Sequence, residues 1–155
     1  MKKITFYKKL AICGFLAISI NSSAQFNQID SNIAAQGLAE LNGNTVAIDN
    51  SGNFMAIGAP LHLEGVLSNQ VGAVRIYENI GGSIIQIGSE IEGTVIGAEF
   101  GQAIDISNSG TRVVIGSPLD ALGGKTRVFE WNGATWNQVG ADIPGGLLDD
   151  SGRSV

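Results

Sequence analysis

The chain repeats itself. Residues 28–61 match residues 86–119 at a shift of 58, and residues 72–93 match residues 124–145 at a shift of 52. Of the 56 pairs so formed, 21 are identical, among them Gly43 with Gly101, Asn50-Ser51-Gly52 with Asn108-Ser109-Gly110, Pro60-Leu61 with Pro118-Leu119, and Arg75 with Arg127. The six-residue drop between the shifts marks a single insertion after Pro60, within HLEGVLSNQ. A repeat of this length confines the fold to architectures that stack one supersecondary unit on the next.

Each unit reads as β. Its apolar runs are short and rich in β-branched residues, and glycine or asparagine interrupts them every eight to twelve residues. Four strands are predicted per unit: Thr45–Asp49, Asn53–Ala59, Ala73–Tyr77 and Ser83–Ile87, then Gln102–Ile106, Thr111–Ser117, Lys125–Trp131 and Thr135–Val139. Ser51-Gly52 and Ser109-Gly110 supply tight turns, and Asn132-Gly133 supplies another between Trp131 and Trp136, which are expected to pack across the hairpin. The second strands, FMAIGA and RVVIGS, are nearly unbroken apolar runs where a half-exposed strand would alternate, so both of their faces should be buried. A four-stranded sheet covered on both faces by copies of itself describes a β-propeller blade; a sandwich is the alternative.

The segment Phe100-Gly101 followed by Ile115-Gly116-Ser117-Pro118, with its counterpart Asn42-Gly43 and Ile57-Gly58-Ala59-Pro60, resembles the FG-GAP repeat of integrin α-subunit propellers and many secreted bacterial proteins. The resemblance spans residues 28–155. It implies an all-β propeller, usually of seven blades, that serves adhesion or ligand recognition and often binds calcium between the first two strands. This sequence departs from that calcium loop. Before Gly52 stand Ala47, Asp49 and Ser51, and before Gly110 stand Asp105, Ser107 and Ser109, so each loop offers one carboxylate, Asp49 or Asp105. Met55 and Val113 stand where a further acid would close the site. A hard cation needs several oxygen ligands, so these loops are assigned to turn-making and no metal or cofactor is expected.

Residues 1–24 are set apart as a secretory signal: Lys2, Lys3, Lys8 and Lys9 flank the apolar run LAICGFLAISI, and Ser22-Ser23-Ala24 offers small residues for cleavage. The eleven-residue run is shorter than the ~20 residues of a membrane span, so a secreted or cell-surface destination without a membrane span is expected. Cys13 follows Ile12 near the start of that run, the wrong place for lipidation, and its removal leaves no cysteine. Removal also leaves five basic residues against fourteen acids, a formal net charge of −9. Nucleic acid is therefore excluded as a partner on electrostatic grounds.

Residues 25–155 then read as an incomplete propeller: a first blade over about 43–93, a second over about 101–145, and the start of a third at 146–155, with residues 26–33 as an outer strand. Two blades leave apolar faces uncovered, so the segment is read as a fragment that associates with further blades or with itself. No catalytic residues are assigned. His62 is the only histidine, and the acid pairs Glu90 with Glu92, Glu92 with Glu99, and Asp149 with Asp150 are read as solvated surface rather than a glycosidase pair. Arg75 and Arg127 are expected to pair structurally with Glu78 and Glu130 or a neighbouring acid. Candidate ligand-binding residues lie on the loops between strands two and three, namely His62 and Glu64 in the insertion and Asp120 in the second copy, with Glu92, Glu99, Asp149 and Asp150 on the links between units. The functional expectation is an exported, non-enzymatic recognition, adhesion or structural module acting on protein or glycan through these loops. The alternative is the propeller portion of a secreted carbohydrate-active enzyme.

Overall fold

The computed structural model describes residues 27–37, 39–64 and 69–155; the signal expected at residues 1–24 lies outside them. The first blade contains β1 (Thr45–Ile48), β2 (Phe54–Ala59), β3 (Leu63–Glu64), β4 (Asn69–Gln70), β5 (Ala73–Ile80), β6 (Ser83–Gln86) and β7 (Ile91–Glu92). The second contains β8 (Ala103–Ile106), β9 (Arg112–Ser117), β10 (Lys125–Trp131), β11 (Trp136–Gln138) and β12 (Ile143–Pro144). Among the described residues there is no helix, and hence none long and apolar enough to cross a membrane.

Each blade is an antiparallel meander, β1-β2-β5-β6 and β8-β9-β10-β11, whose outer strand is interrupted and resumes as β7 or β12 against the same inner neighbour. Register repeats as faithfully as sequence does. Thr45 opposite Gly58 recurs as Ala103 opposite Gly116, and Ile57 opposite Arg75 recurs as Ile115 opposite Arg127. The outer strand breaks at equivalent glycines, Gly88 and Gly140, both with positive φ (71° and 75°), a conformation that glycine adopts without a Cβ clash. The insertion forms a β3–β4 hairpin of two-residue strands between β2 and β5, too short to leave a periodic signature. Residues 27–37 form no strand of their own and run beside β6, where Asp30 Oδ2 accepts the Ile84 N–H at 2.7 Å. The chain's last residues contribute one bridge, Gly124 with Ser151.

The blades face each other. Ala56, Val74 and Ile76 from the first pack with Phe100, Ile106, Val113 and Ile115 from the linker and second blade, all in one buried cluster. Phe100 meets Phe129 edge-on at a centroid distance of 6.2 Å. Each fully buried aliphatic side chain contributes about 1.5–3 kcal/mol against about 0–1 for an exposed ion pair, so this apolar seam holds the blades together. Backbone meets backbone where one unit passes to the next: a Cβ on Gly58 would strike the Gly101 carbonyl, and a Cβ on Gly116 would strike that of Gly152 in the segment after the second blade. The glycine of each GAP-like ending thus receives the first glycine of the next unit. At the outer edge Trp131 and Trp136 pack across their hairpin at a 40° tilt with centroids 5.4 Å apart, and Trp136 Nε1 donates to the Ile87 carbonyl of the first blade at 3.1 Å.

Candidate functional site

On the first blade, the face turned away from the second buries a cluster of charge. Arg75 on β5 is fully buried, opposite Ile57, and Glu40 arrives from the link that precedes the blade. Arg75 Nη1 and Nη2 donate to Glu40 Oε1 and Oε2 at 3.2 and 3.1 Å, Nη1 also to Asn42 Oδ1 at 3.1 Å, and Nε to Glu90 Oε2 at 2.8 Å. Glu90 reaches Arg75 from the interruption in the outer strand, just before β7. Burial alone would raise the Glu40 carboxyl, but hydrogen bonds from Arg75 and then His62 outweigh it and hold it at about 2. Burial likewise works against the Arg75 charge, and its carboxylate partners reverse that, leaving the guanidinium more basic than usual.

His62 completes the cluster at the base of the β3–β4 hairpin. Its Nδ1 lies 2.8 Å from Glu40 Oε2 and 3.1 Å from Arg75 Nη2. Nδ1 thus sits between an acceptor, Glu40 Oε2, and a donor, Arg75 Nη2; in the tautomer that gives its proton to the nearer carboxylate, Nε2 is the bare nitrogen. Nε2 points the other way, 3.6 Å from Glu90 Oε1 and 3.4 Å from Glu92 Oε1, and makes no hydrogen bond to either. The three ligand-type atoms of His62, Glu90 and Glu92 lie within 4.8 Å of one another, and these are the residues able to hold a metal among those described.

The second blade carries the counterpart. Arg127 occupies the Arg75 position, Asp120 the His62 position and Asp142 the Glu90 position. Arg127 Nη2 donates to Asp120 Oδ2 at 2.6 Å, and Nε donates to Asp142 Oδ1 at 2.8 Å. Lys125 adds a second cation, with Nζ 3.0 Å from Asp120 Oδ1 and 3.4 Å from Asp142 Oδ2. Hydrogen bonds from Arg127 and Gln138 hold the Asp142 carboxyl well below the usual carboxylate range, and the hydrogen bond to Asp120 raises the Lys125 ammonium. Two cations therefore answer two anions here. In the first blade Ala73 stands where Lys125 would be, and three carboxylates face one arginine and one imidazole.

The sequence candidates separate accordingly. His62 is nine-tenths buried inside the cluster rather than displayed on the insertion, whereas Glu64 on β3 is exposed. Asp120 is buried and wholly engaged with Arg127 and Lys125. Glu90, read from sequence as solvated surface, is bound to Arg75 instead, and Glu78 and Glu130 are not the arginine partners. Glu130 pairs with Arg112 directly across the strands at 2.9 Å. Asp49 accepts from the Phe54 N–H at 2.9 Å and from the Ser51 hydroxyl, closing the first turn, and Ser107 Oγ closes the second by accepting the Arg112 N–H at 3.0 Å. Asp105 is exposed and folds back on the Ile106 N–H at 2.9 Å. Glu40 escaped sequence reasoning altogether; its counterpart is Ala98, so the repeat carries no trace of it.

Around the cluster, the loops between strands two and three hydrogen-bond to the links between units. Leu61 N donates to the Glu40 carbonyl, Leu119 N to Ala98 and Leu148 N to Leu122, at 3.2, 3.3 and 2.8 Å. The side chains carried there include Leu41, Ile96, Leu119, Leu122, Leu147 and Leu148, each from 49% to 80% exposed. No family model matches the chain, and no curated protein matches it.

Proposed function

We propose that this chain is a non-enzymatic recognition module of an exported FG-GAP-like propeller, binding protein or glycan through the loop face formed by the links between units and the loops between strands two and three. The observation that supports the reading is the number of exposed leucines and isoleucine carried on these loops and links, which are joined by backbone hydrogen bonds. Scattered apolar residues are ordinary on a surface; six on the loops and links of a repeated scaffold support reading them as part of an interaction surface. The exposed Glu64 on the neighbouring hairpin adds an acidic edge suited to hydroxyl-rich or basic partners.

The test is binding of the full chain to a glycan array and to a panel of purified extracellular-matrix proteins. Saturable binding to a defined member is expected, and Leu122→Asp combined with Leu148→Asp is expected to abolish it. Binding that survives the double substitution, or no binding to either panel, overturns the reading.

A further inference from the structure

We infer that His62, Glu90 and Glu92 form a three-ligand site for a divalent cation of the zinc class, linking the base of the β3–β4 hairpin to the outer strand. This inference stands independently of the recognition reading. It uses neither Asp49 nor Asp105, the carboxylates that precede the turns between strands one and two.

The first argument is the direction of the imidazole. In the tautomer that gives Nδ1–H to Glu40, the bare Nε2 lies 3.4 and 3.6 Å from two carboxylate oxygens, a contact that a cation between them would make attractive, and the residue is nine-tenths buried. A carboxylate behind a histidine fixes the tautomer and raises the basicity of the metal-facing nitrogen, an arrangement characteristic of zinc ligation. Glu90 is similarly oriented: Oε2 accepts from Arg75 Nε at 2.8 Å, leaving Oε1 toward His62. The Nε2–oxygen separations of 3.4 and 3.6 Å are too long for hydrogen bonds. They lie close to the edge of a zinc tetrahedron, about 3.3 Å for ligand bonds of about 2.0–2.1 Å. One nitrogen and two carboxylates suit zinc or a neighbouring transition metal; calcium and magnesium prefer all-oxygen shells.

The second argument comes from the other blade. Lys125 Nζ sits between Asp120 and Asp142, the counterparts of His62 and Glu90. The second blade thus builds a cation into the position that the first, with Ala73, leaves to its ligands. Counting the imidazole as neutral, as metal ligation requires, Glu40, Glu90 and Glu92 exceed Arg75 by two negative charges, and a divalent ion restores the neutrality that Lys125 gives its own cluster. Glu92 is half-exposed, so the fourth coordination position opens to solvent or to a ligand atom.

The experiment is calorimetric titration of the chelator-treated full chain with Zn²⁺, together with the visible spectrum of the Co²⁺ form. One equivalent of zinc is expected, with the intense absorption of four-coordinate cobalt and a raised melting temperature. Glu92→Gln alters a half-exposed side chain that takes no part in holding Arg75, so the fold is retained; zinc affinity is expected to fall at least about 10–100-fold. Ala73→Lys, which places the second blade's ammonium in the first, is expected to weaken zinc binding as well. The inference is overturned if the unmodified chain takes up no zinc, or if the unmodified chain and Glu92→Gln bind zinc equally.

Discussion

Arg75 grips Glu40 with both terminal nitrogens, at 3.1 and 3.2 Å, and neither side chain reaches solvent. Charges placed so deep are stable only as a set. Arg75→Met is expected to destabilise the fold by about 3–5 kcal/mol, because it strands the Glu40 carboxylate. Adding Glu40→Leu to that variant should recover most of the loss, and Arg75→Lys alone should not, since an ammonium lacks the two-pronged geometry. Urea denaturation of the single and double variants checks this; a double variant no more stable than Arg75→Met would contradict it.

The close backbone contacts from one unit to the next make a prediction about methyl groups. Gly58→Ala and Gly116→Ala each drive a Cβ into a backbone carbonyl of the next unit, which cannot swing aside. Each is expected to cost about 3 kcal/mol, the upper end of overpacking penalties. At Gly81, φ is +61° and nothing lies within 4 Å of the added atom, so alanine there should cost only the left-handed penalty of about 1–2 kcal/mol. Thermal unfolding should find Gly58→Ala and Gly116→Ala lowered alike and both melting below Gly81→Ala.

Acid should loosen the second blade through Asp142. Its folded-state carboxyl is held below the unfolded value of 3.8, so the stability it contributes is fully present above that value. That contribution is lost as pH falls through the folded-state value. Asp142→Asn removes the difference. The expected result is a variant less stable at neutral pH whose stability falls less steeply below pH ~4 than that of the unmodified chain, read from melting temperatures across an acid series.

Self-association follows from the faces that the two blades do not give each other. Ile104 and Ile106 of β8 lie within the inter-blade seam, packed against the core cluster. Their counterparts Val46 and Ile48 on β1 are 57% and 61% exposed. The full chain is expected to sediment as an associated species, and Val46→Lys with Ile48→Lys to shift it toward monomer. A sharply monomeric unmodified chain in sedimentation velocity would count against this.

Much of the architecture was legible because it is written twice. The repeat aligned the strands, the serine-glycine and asparagine-glycine turns bounded them, and the runs FMAIGA and RVVIGS identified the strand whose second half, Ala56–Ala59 and Ile115–Ser117, is buried on both faces, while Phe54, Met55, Arg112 and Val114 are not fully buried. The charge cluster was legible only in part. Arg75 and Arg127 were recognisably equivalent, yet Glu78 and Glu130 stand three residues along the same strands and so project from the opposite face of the sheet. Glu90 and Asp142 reach the arginines because the outer strand breaks at Gly88 and Gly140, a departure from regular pairing that periodicity does not register. Glu40 comes from an irregular link and has alanine as its counterpart, so neither pattern nor repetition exposes it.

The meeting of Gly58 with Gly101, and of Gly116 with Gly152, has a bearing on how such a chain can change over time. Where main chain lies directly on main chain, the pitch from one sheet to the next is set by atoms common to every amino acid. Side chains elsewhere can drift, and whole loops can lengthen as the β3–β4 hairpin has done, without altering the wedge angle that each sheet hands to its successor.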